Sequence, residues 1–169
     1  MALLVLSVAG VDRPGLTKAL AAAVLSAGGN WLESHLSHLG GLYVGSVLVE
    51  LETAKVEALR AAVAAVDAQG LEVRIVAALE SAGAAGATLE FSLVGQDRPG
   101  IVNQVTAVVS GLGANIETFK TWLSAEAHSG APLFHMAANL RLPAGVESAE
   151  MQAALEAISG EIMVDVAVK

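Results

Sequence analysis

The chain contains no cysteine, which excludes disulfides and thiolate-bound metals. It is also short of cations. Nine Lys and Arg face seventeen Asp and Glu, the formal net charge is −8, and the nine are not clustered. Nucleic-acid binders displace counterions with a basic patch, so direct contact with DNA or RNA is not expected. Aromatics are as scarce: two Trp, one Tyr and three Phe. That is too few for a sheet that stacks RNA bases. Hydrophobic residues make up 54% of the chain, but many of these are Ala. No uncharged stretch reaches the ~18 apolar residues of a spanning helix, and residues 34–49, among the longest, include His, Ser and Gly. Met1-Ala2-Leu3-Leu4-Val5-Leu6 carries no basic n-region and runs straight into the first predicted strand. A secretory signal is therefore not expected, and a cytoplasmic location is the default. G-x-S-x-G, Walker, G-x-G-x-x-G and H-E-x-x-H motifs are all missing. No nucleophile stands beside an obvious base. No catalytic residue and no cofactor are expected.

What the chain does have is a repeat. Gly10-Val11-Asp12-Arg13-Pro14-Gly15-Leu16 returns as Gly95-Gln96-Asp97-Arg98-Pro99-Gly100-Ile101, an offset of 85 (10 to 95). Gly28-Gly29-Asn30 returns as Gly113-Ala114-Asn115 at the same offset (30 to 115). The chain is a tandem duplication, and each unit of about 80 residues is large enough for one small core. We expect units at 1–80 and 88–169, joined by a small-residue linker at 81–87.

The first unit reads in order. Leu3 to Val8 is apolar and bounded by a turn, as in a strand. A helix follows, with Asp12 placed to cap it and Pro14 in its first turn. Leu16, Leu20, Ala23, Val24 and Ala27 recur at helical spacing, and Gly28-Gly29 ends the helix. Asn30–Leu39 and Leu42–Glu52 read as strands joined at Gly40-Gly41. Thr53 is a candidate cap for a second helix along Val56, Leu59, Val63 and Val66, which Gly70 stops. Leu71, Val73, Ile75 and Ala77 alternate with Glu72 and Arg74, giving a fourth strand.

The second unit repeats the order. Its helix carries Ile101, Val105, Val108 and Leu112, and its hairpin joins Asn115–Leu123 to Leu133–Leu142. Ser148 can cap a last helix with Met151, Leu155 and Ile158. Gly160 ends it, and Ile162 to Val168 form the final strand. Leu42-Tyr43 aligns with Leu133-Phe134 at an offset of 91 (42 to 133). Six extra residues therefore fall between Ala125 and Pro132. A βαββαβ order with right-handed crossovers gives an α+β, ferredoxin-like unit: a four-stranded antiparallel sheet with two helices on one face. Two units paired side by side would hide sheet edges.

The repeated loop joins a strand end to a helix start. Helix N-termini offer free N–H groups and a positive dipole, which favour an anion. Gly15 and Gly100 leave room for a ligand to approach. Arg13 and Arg98 can pair a carboxylate, Asp12 and Asp97 can accept from an ammonium, and the amides of Asn30 and Asn115 can do either. The set suits a zwitterion such as a small amino acid. Each residue also has a purely local role open to it: a helix cap, a turn former, a solvated charge or a helix terminator. His35 and His38 invite a metal reading, but three residues apart on a strand they face opposite ways, and no third ligand is evident. Trp31 and Trp122 read as core or interface residues, and His128 and His135 as surface or packing residues.

A βαββαβ unit with D-R-P-G after the first strand and G-x-N at the second resembles an ACT domain, the small-molecule sensing module of amino-acid metabolism. The resemblance covers nearly the whole chain, twice. It is nearest to the tandem-ACT family of glycine cleavage system transcriptional repressors. His128-Ser129-Gly130-Ala131-Pro132-Leu133-Phe134 is similar to that family's H-S-G-x-P-L-F segment, and Leu142-Pro143-Ala144-Gly145-Val146 adds to the match. Formyltetrahydrofolate hydrolases and some phosphoserine phosphatases carry similar ACT units. The resemblance implies an amino-acid-responsive regulator without catalytic activity. It further implies action by contact with a DNA-binding activator protein, and a glycine- or serine-like ligand at an interface between units. Carried over, it names Asp12, Arg13, Pro14, Gly15 and Asn30, with Asp97, Arg98, Pro99, Gly100 and Asn115. It also implies pairing, within one chain or as a homodimer. The copies differ at Val11 versus Gln96 and Trp31 versus Ile116. If Trp31 fills the first pocket, the second copy is the better equipped.

Three other classes share part of this pattern. A regulatory subunit acting on a metabolic enzyme in trans shares every feature above. An acylphosphatase-like enzyme would share the fold and an arginine beside an anion loop, but its glycine-rich loop is not reproduced here. An RNA-binding sheet meets the charge and aromatic objections already given.

Overall fold

The computed structural model describes residues 1–79, 86–126, 129–158 and 163–168. It divides into two compact units, Met1–Ser81 and Ala82–Lys169. The first runs β1 (Ala2–Val11), α1 (Leu16–Ser26), β2 (Asn30–Leu39), β3 (Leu42–Leu51), α2 (Val56–Asp67) and β4 (Leu71–Ala77). The second runs β5 (Thr88–Gln96), α3 (Ile101–Gly111), β6 (Asn115–Ala125), β7 (Pro132–Arg141), α4 (Ser148–Ala157) and β8 (Met163–Val168). The sheets have the orders β2-β3-β1-β4 and β6-β7-β5-β8, with every neighbour antiparallel. This is the expected βαββαβ arrangement, twice.

Period-two burial decides which sheet face the helices cover. Leu4, Leu6 and Val8 of β1 meet Val47, Val49 and Leu51 of β3 in the first core. Leu16, Leu20, Ala23 and Val24 of α1 and Leu59, Val63 and Val66 of α2 close it. The second core is built alike, from Leu89, Phe91 and Leu93, from Met136, Ala138 and Leu140, and from Ile101, Val105 and Met151. Each fully buried Leu contributes about 1.5–3 kcal/mol. Among the described residues no charged or polar side chain is buried, so apolar burial alone drives these cores.

Helix ends follow the glycines. After α1, Gly28 takes φ 75°, its N–H bonds Leu25 O and the Gly29 N–H bonds Val24 O. This paired pattern satisfies the last carbonyls. Gly113 repeats it after α3: its N–H bonds Ser110 O, and the Ala114 N–H bonds Val109 O. The starts differ from the sequence reading. Asp12 and Asp97 cap nothing. The N-cap positions are Gly15 and Gly100, with φ 96° and 89°, and no side chain caps either helix. Pro14 and Pro99 therefore lie in the turn before the helix, because left-handed glycine redirects the chain one residue later. Thr53 opens a short 3-10 turn (Thr53–Lys55) ahead of α2 and makes no cap bond. Ser148 is the first residue of α4, and Glu147 holds the uncapped N-cap position.

The hairpins differ as the offsets require. Two residues, Gly40 and Gly41 (φ 59° and 84°), join β2 to β3. Residues 126–131 join β6 to β7, which also gain the pair Ala125↔Pro132. Residues 81–85 of the expected linker, with His128, Gly160 and Ile162, lie outside the described residues.

Candidate functional site

Each loop sits at the end of the central strand β1 or β5. Val11 pairs with Leu42 at the hairpin end of β3, and the Asp12 N–H bonds Gly41 O at 3.1 Å. In the second unit the Asp97 N–H bonds Pro132 O, also at 3.1 Å. Both loops are thus tied by one backbone bond to their own β-hairpin. Gly15 and Gly100 face open space: a Cβ built on either meets nothing within 4 Å. The first N–H groups of α1 and α3 have no partner within their helices, and glycine leaves the approach to them clear. Beside the first loop is a shallow groove of about 400 Å³ lined by Gly10, Val11, Leu42, Asp67, Gly70 and Glu72.

The charged members of the motif are held differently in the two copies. In the first, Asp12 Oδ2 stands 3.4 Å from His38 Nδ1, and Arg13 reaches toward Gly70, its Nη2 lying 3.9 Å from where a Cβ on Gly70 would be. In the second, Arg98 Nη2 donates to Gln104 Oε1 at 2.7 Å, and Asp97 is exposed. The residue matching Gln104 is Ala19, and the residue matching His38 is Leu123, both at offset 85. One copy therefore holds its carboxylate and the other holds its guanidinium.

Asn30 and Asn115 are exposed and open β2 and β6. The structure does not bring them to the loops of their own units. Gly15 and Asn30 flank opposite ends of α1, whose eleven residues span about 16 Å. A small amino acid cannot bridge that length. The ten residues sort by geometry into two contiguous loop sets and two isolated asparagines.

A feature the sequence did not reveal lies beside each asparagine. The β2–β3 register shifts between Trp31 and Glu33, and the β6–β7 register shifts between Ile116 and Thr118. Each shift is a bulge, at Leu32 and at Glu117, again 85 apart. Bulges re-aim side chains and recur beside functional sites. The second bulge is braced: Arg141 Nε donates to Glu117 Oε1 at 2.6 Å and Nη2 to Oε2 at 3.2 Å. That hydrogen bonding raises the Arg141 pKa further above its ordinary value. Position 141 matches Glu50 in the first unit (offset 91), where no such brace can form.

Trp31 and Ile116 both pack against the cores of their own units. Trp122 is outside the core, 43% exposed. It stacks on His135, with centroids 5.0 Å apart and planes 8° from parallel, and the His135 ring takes a 2.6 Å hydrogen bond with Ser124 Oγ. Trp122 lies on edge strand β6, every residue of which but Ile116 is exposed. His35 and His38 do not converge. His35 pairs with Glu33 Oε1 at 3.0 Å, while His38 serves Asp12 and Gly41.

The profile of the ACT domain matches residues 2–77, the whole of the first βαββαβ unit. The first unit is an ACT domain. The second repeats its strand order, its loop and its helix termini, and is a second ACT-type unit. Over its full length the chain is similar to a crystallised protein of unknown function from Galdieria sulphuraria, with 27% identity and a TM-score of 0.85, covering 99% of this chain and 98% of that one. It is also similar to a proposed glycine cleavage system transcriptional repressor, with 17% identity and a TM-score of 0.69 over 99% and 98% of the two chains. At that identity the likeness is one of fold. No curated protein matches the sequence. The ACT fold is a regulatory one, and among the described residues no helix is long and apolar enough to cross a membrane.

Proposed function

We propose that this chain is an amino-acid-responsive regulator without catalytic activity of its own. In this reading it controls glycine cleavage through contact with a DNA-binding activator protein in the cytoplasm. The observation that carries the proposal is the duplicated Asp-Arg-Pro-Gly loop on an ACT scaffold. Both copies end in an open left-handed glycine at a helix N-terminus, with a carboxylate and a guanidinium beside it. Free N–H groups and an arginine suit a carboxylate ligand, and an aspartate suits an ammonium. The net charge of −8 argues against an operator-gripping surface and for protein contact.

The separation of loop and asparagine shapes the proposal further. Within one unit a small ligand can meet the loop or the asparagine, not both. Calorimetric titration with glycine, L-serine and the other amino acids tests the sensor role, and silence toward all of them removes it. A regulatory subunit acting in trans on a metabolic enzyme is the second reading, and the same duplicated loop fits it. Affinity capture separates the two: a transcription activator supports the first and a metabolic enzyme the second.

A further inference from the structure

We propose that His38 is a positioning residue for Asp12, and that it lets the first copy select its ligand by the amino group while the second copy does so far less. This deepens the amino-acid reading above and rests on it. Three polar contacts close a ring between the loop and the hairpin tip. The Asp12 N–H donates to Gly41 O at 3.1 Å, the Gly41 N–H donates to His38 Nε2 at 3.0 Å, and His38 Nδ1 stands 3.4 Å from Asp12 Oδ2.

The ring fixes the tautomer. Nε2 accepts a hydrogen bond and so carries no proton, which leaves the proton of a neutral imidazole on Nδ1, facing the carboxylate. The tight Gly40-Gly41 turn holds the histidine backbone in place. A neutral donor has a particular value here. It orients the carboxylate without cancelling the charge that an incoming ammonium needs, as a Lys or Arg would. Oδ2 lies beside His38, and Oδ1 remains to receive the ligand.

The second copy keeps the backbone bond, from the Asp97 N–H to Pro132 O, but cannot complete the ring. Leu123 replaces the histidine and is 59% exposed. Its hairpin is also longer, and residues 126–131 replace the two-glycine tip. What the second copy holds instead is Arg98, through Gln104, so its fixed group is the one for a carboxylate. Each copy thus holds a different one of the two groups, and the Trp31 ring packs on its own core.

The test uses amide NMR on the full chain, reading Gly15 and Gly100 separately. The probes are glycine and L-serine and their hydroxy counterparts, glycolate and L-glycerate. The expected result is that His38→Leu weakens binding of the amino acids at the Gly15 loop about three- to five-fold, the size of one net polar contact. Binding of the hydroxy acids there, and all binding at the Gly100 loop, should not change. Asp12→Asn should show the same selective loss, and the double variant should add nothing to it. Equal weakening for both ligand classes, or none, overturns the role of His38 while leaving a sensor in place. No shift at either loop with any probe overturns the sensor reading and this inference together. His38 is mostly exposed, 62% for its side chain, so the variant is expected to fold, and unchanged amide shifts for the buried residues of the first unit's own core, such as Leu6, Leu20 and Leu59, check this.

Discussion

Replacing Gly15 with alanine isolates one physical term. The residue has φ 96°, in the left-handed region, and its missing Cβ would meet nothing within 4 Å. No clash is available to explain a loss of stability, so what remains is the backbone strain of an L-residue there, about 1–2 kcal/mol. A small part is returned because alanine restricts the unfolded chain more than glycine does. For a unit of this size each kcal/mol moves the melting temperature by about 4–8 °C, so a drop of roughly 4–12 °C is expected. The two tryptophans allow the first unit to be read alone, since Trp31 lies in it and Trp122 lies on exposed β6 of the second. In a Trp122→Phe background, thermal unfolding followed by Trp31 fluorescence gives the first unit's transition. Gly15→Asn should lose less than Gly15→Ala, because asparagine tolerates this conformation better. Gly10→Ala makes the contrast: its Cβ would run into the Gly70 carbonyl oxygen and stand 3.0 Å from Leu71 Cα, so it should cost more than Gly15→Ala. An unchanged or raised melting temperature for Gly15→Ala, or an order in which Gly10→Ala is the milder, would refute the reasoning.

Four further outcomes follow from the same geometry. Leu20→Ala and Leu59→Ala, both at 0% exposure, should each destabilise the first unit by about 2–5 kcal/mol, measured by urea unfolding with Trp31 as reporter. Asn30→Ala and Asn115→Ala touch exposed residues, so they should leave melting within a degree or two yet weaken amino-acid binding in calorimetry. Glu117→Gln should lower the melting temperature of the second unit at low salt and much less in 1 M NaCl, because the Arg141 pair is partly open to solvent. Tyr43→Phe removes the 2.6 Å hydrogen bond to Thr17 Oγ1, which is exposed, and should cost no more than about 0.5–1 kcal/mol in the same urea assay.

The strands and helices were legible because their signals are periodic. Leu89, Phe91 and Leu93 alternate and are all buried, and Leu16, Leu20 and Val24 lie one turn apart and are buried too. Helix stops were equally plain, since Gly28 and Gly113 supply a conformation that other residues resist. Helix starts were misread. Aspartate before Pro-Gly has the composition of a cap, but a left-handed glycine between them and the helix carries the side chain past the positions it would cap. The candidate site residues stand out by repetition, but their arrangement does not. The tie between His38 and Asp12 spans a hairpin register that no local pattern announces. The bulges at Leu32 and Glu117 were hidden as well, because a single extra residue in a strand changes pairing without changing composition.

The proposed sensor role turns a question about binding into one about coupling. The first loop has Asp12 beside His38, and the second holds Arg98 through Gln104. If each loop takes an amino acid, as proposed, the two do so with different held groups and need not bind equally. A regulator must then do more than bind. A ligand with equal affinity for the free and the partner-bound chain shifts nothing, however tightly it binds. If the amino acid strengthens partner binding by some factor, linkage requires the partner to strengthen amino-acid binding by the same factor. Calorimetry with glycine or L-serine, run with and without a saturating captured partner, checks it: the amino-acid affinity should move, and an affinity that is the same in both runs removes the regulatory link.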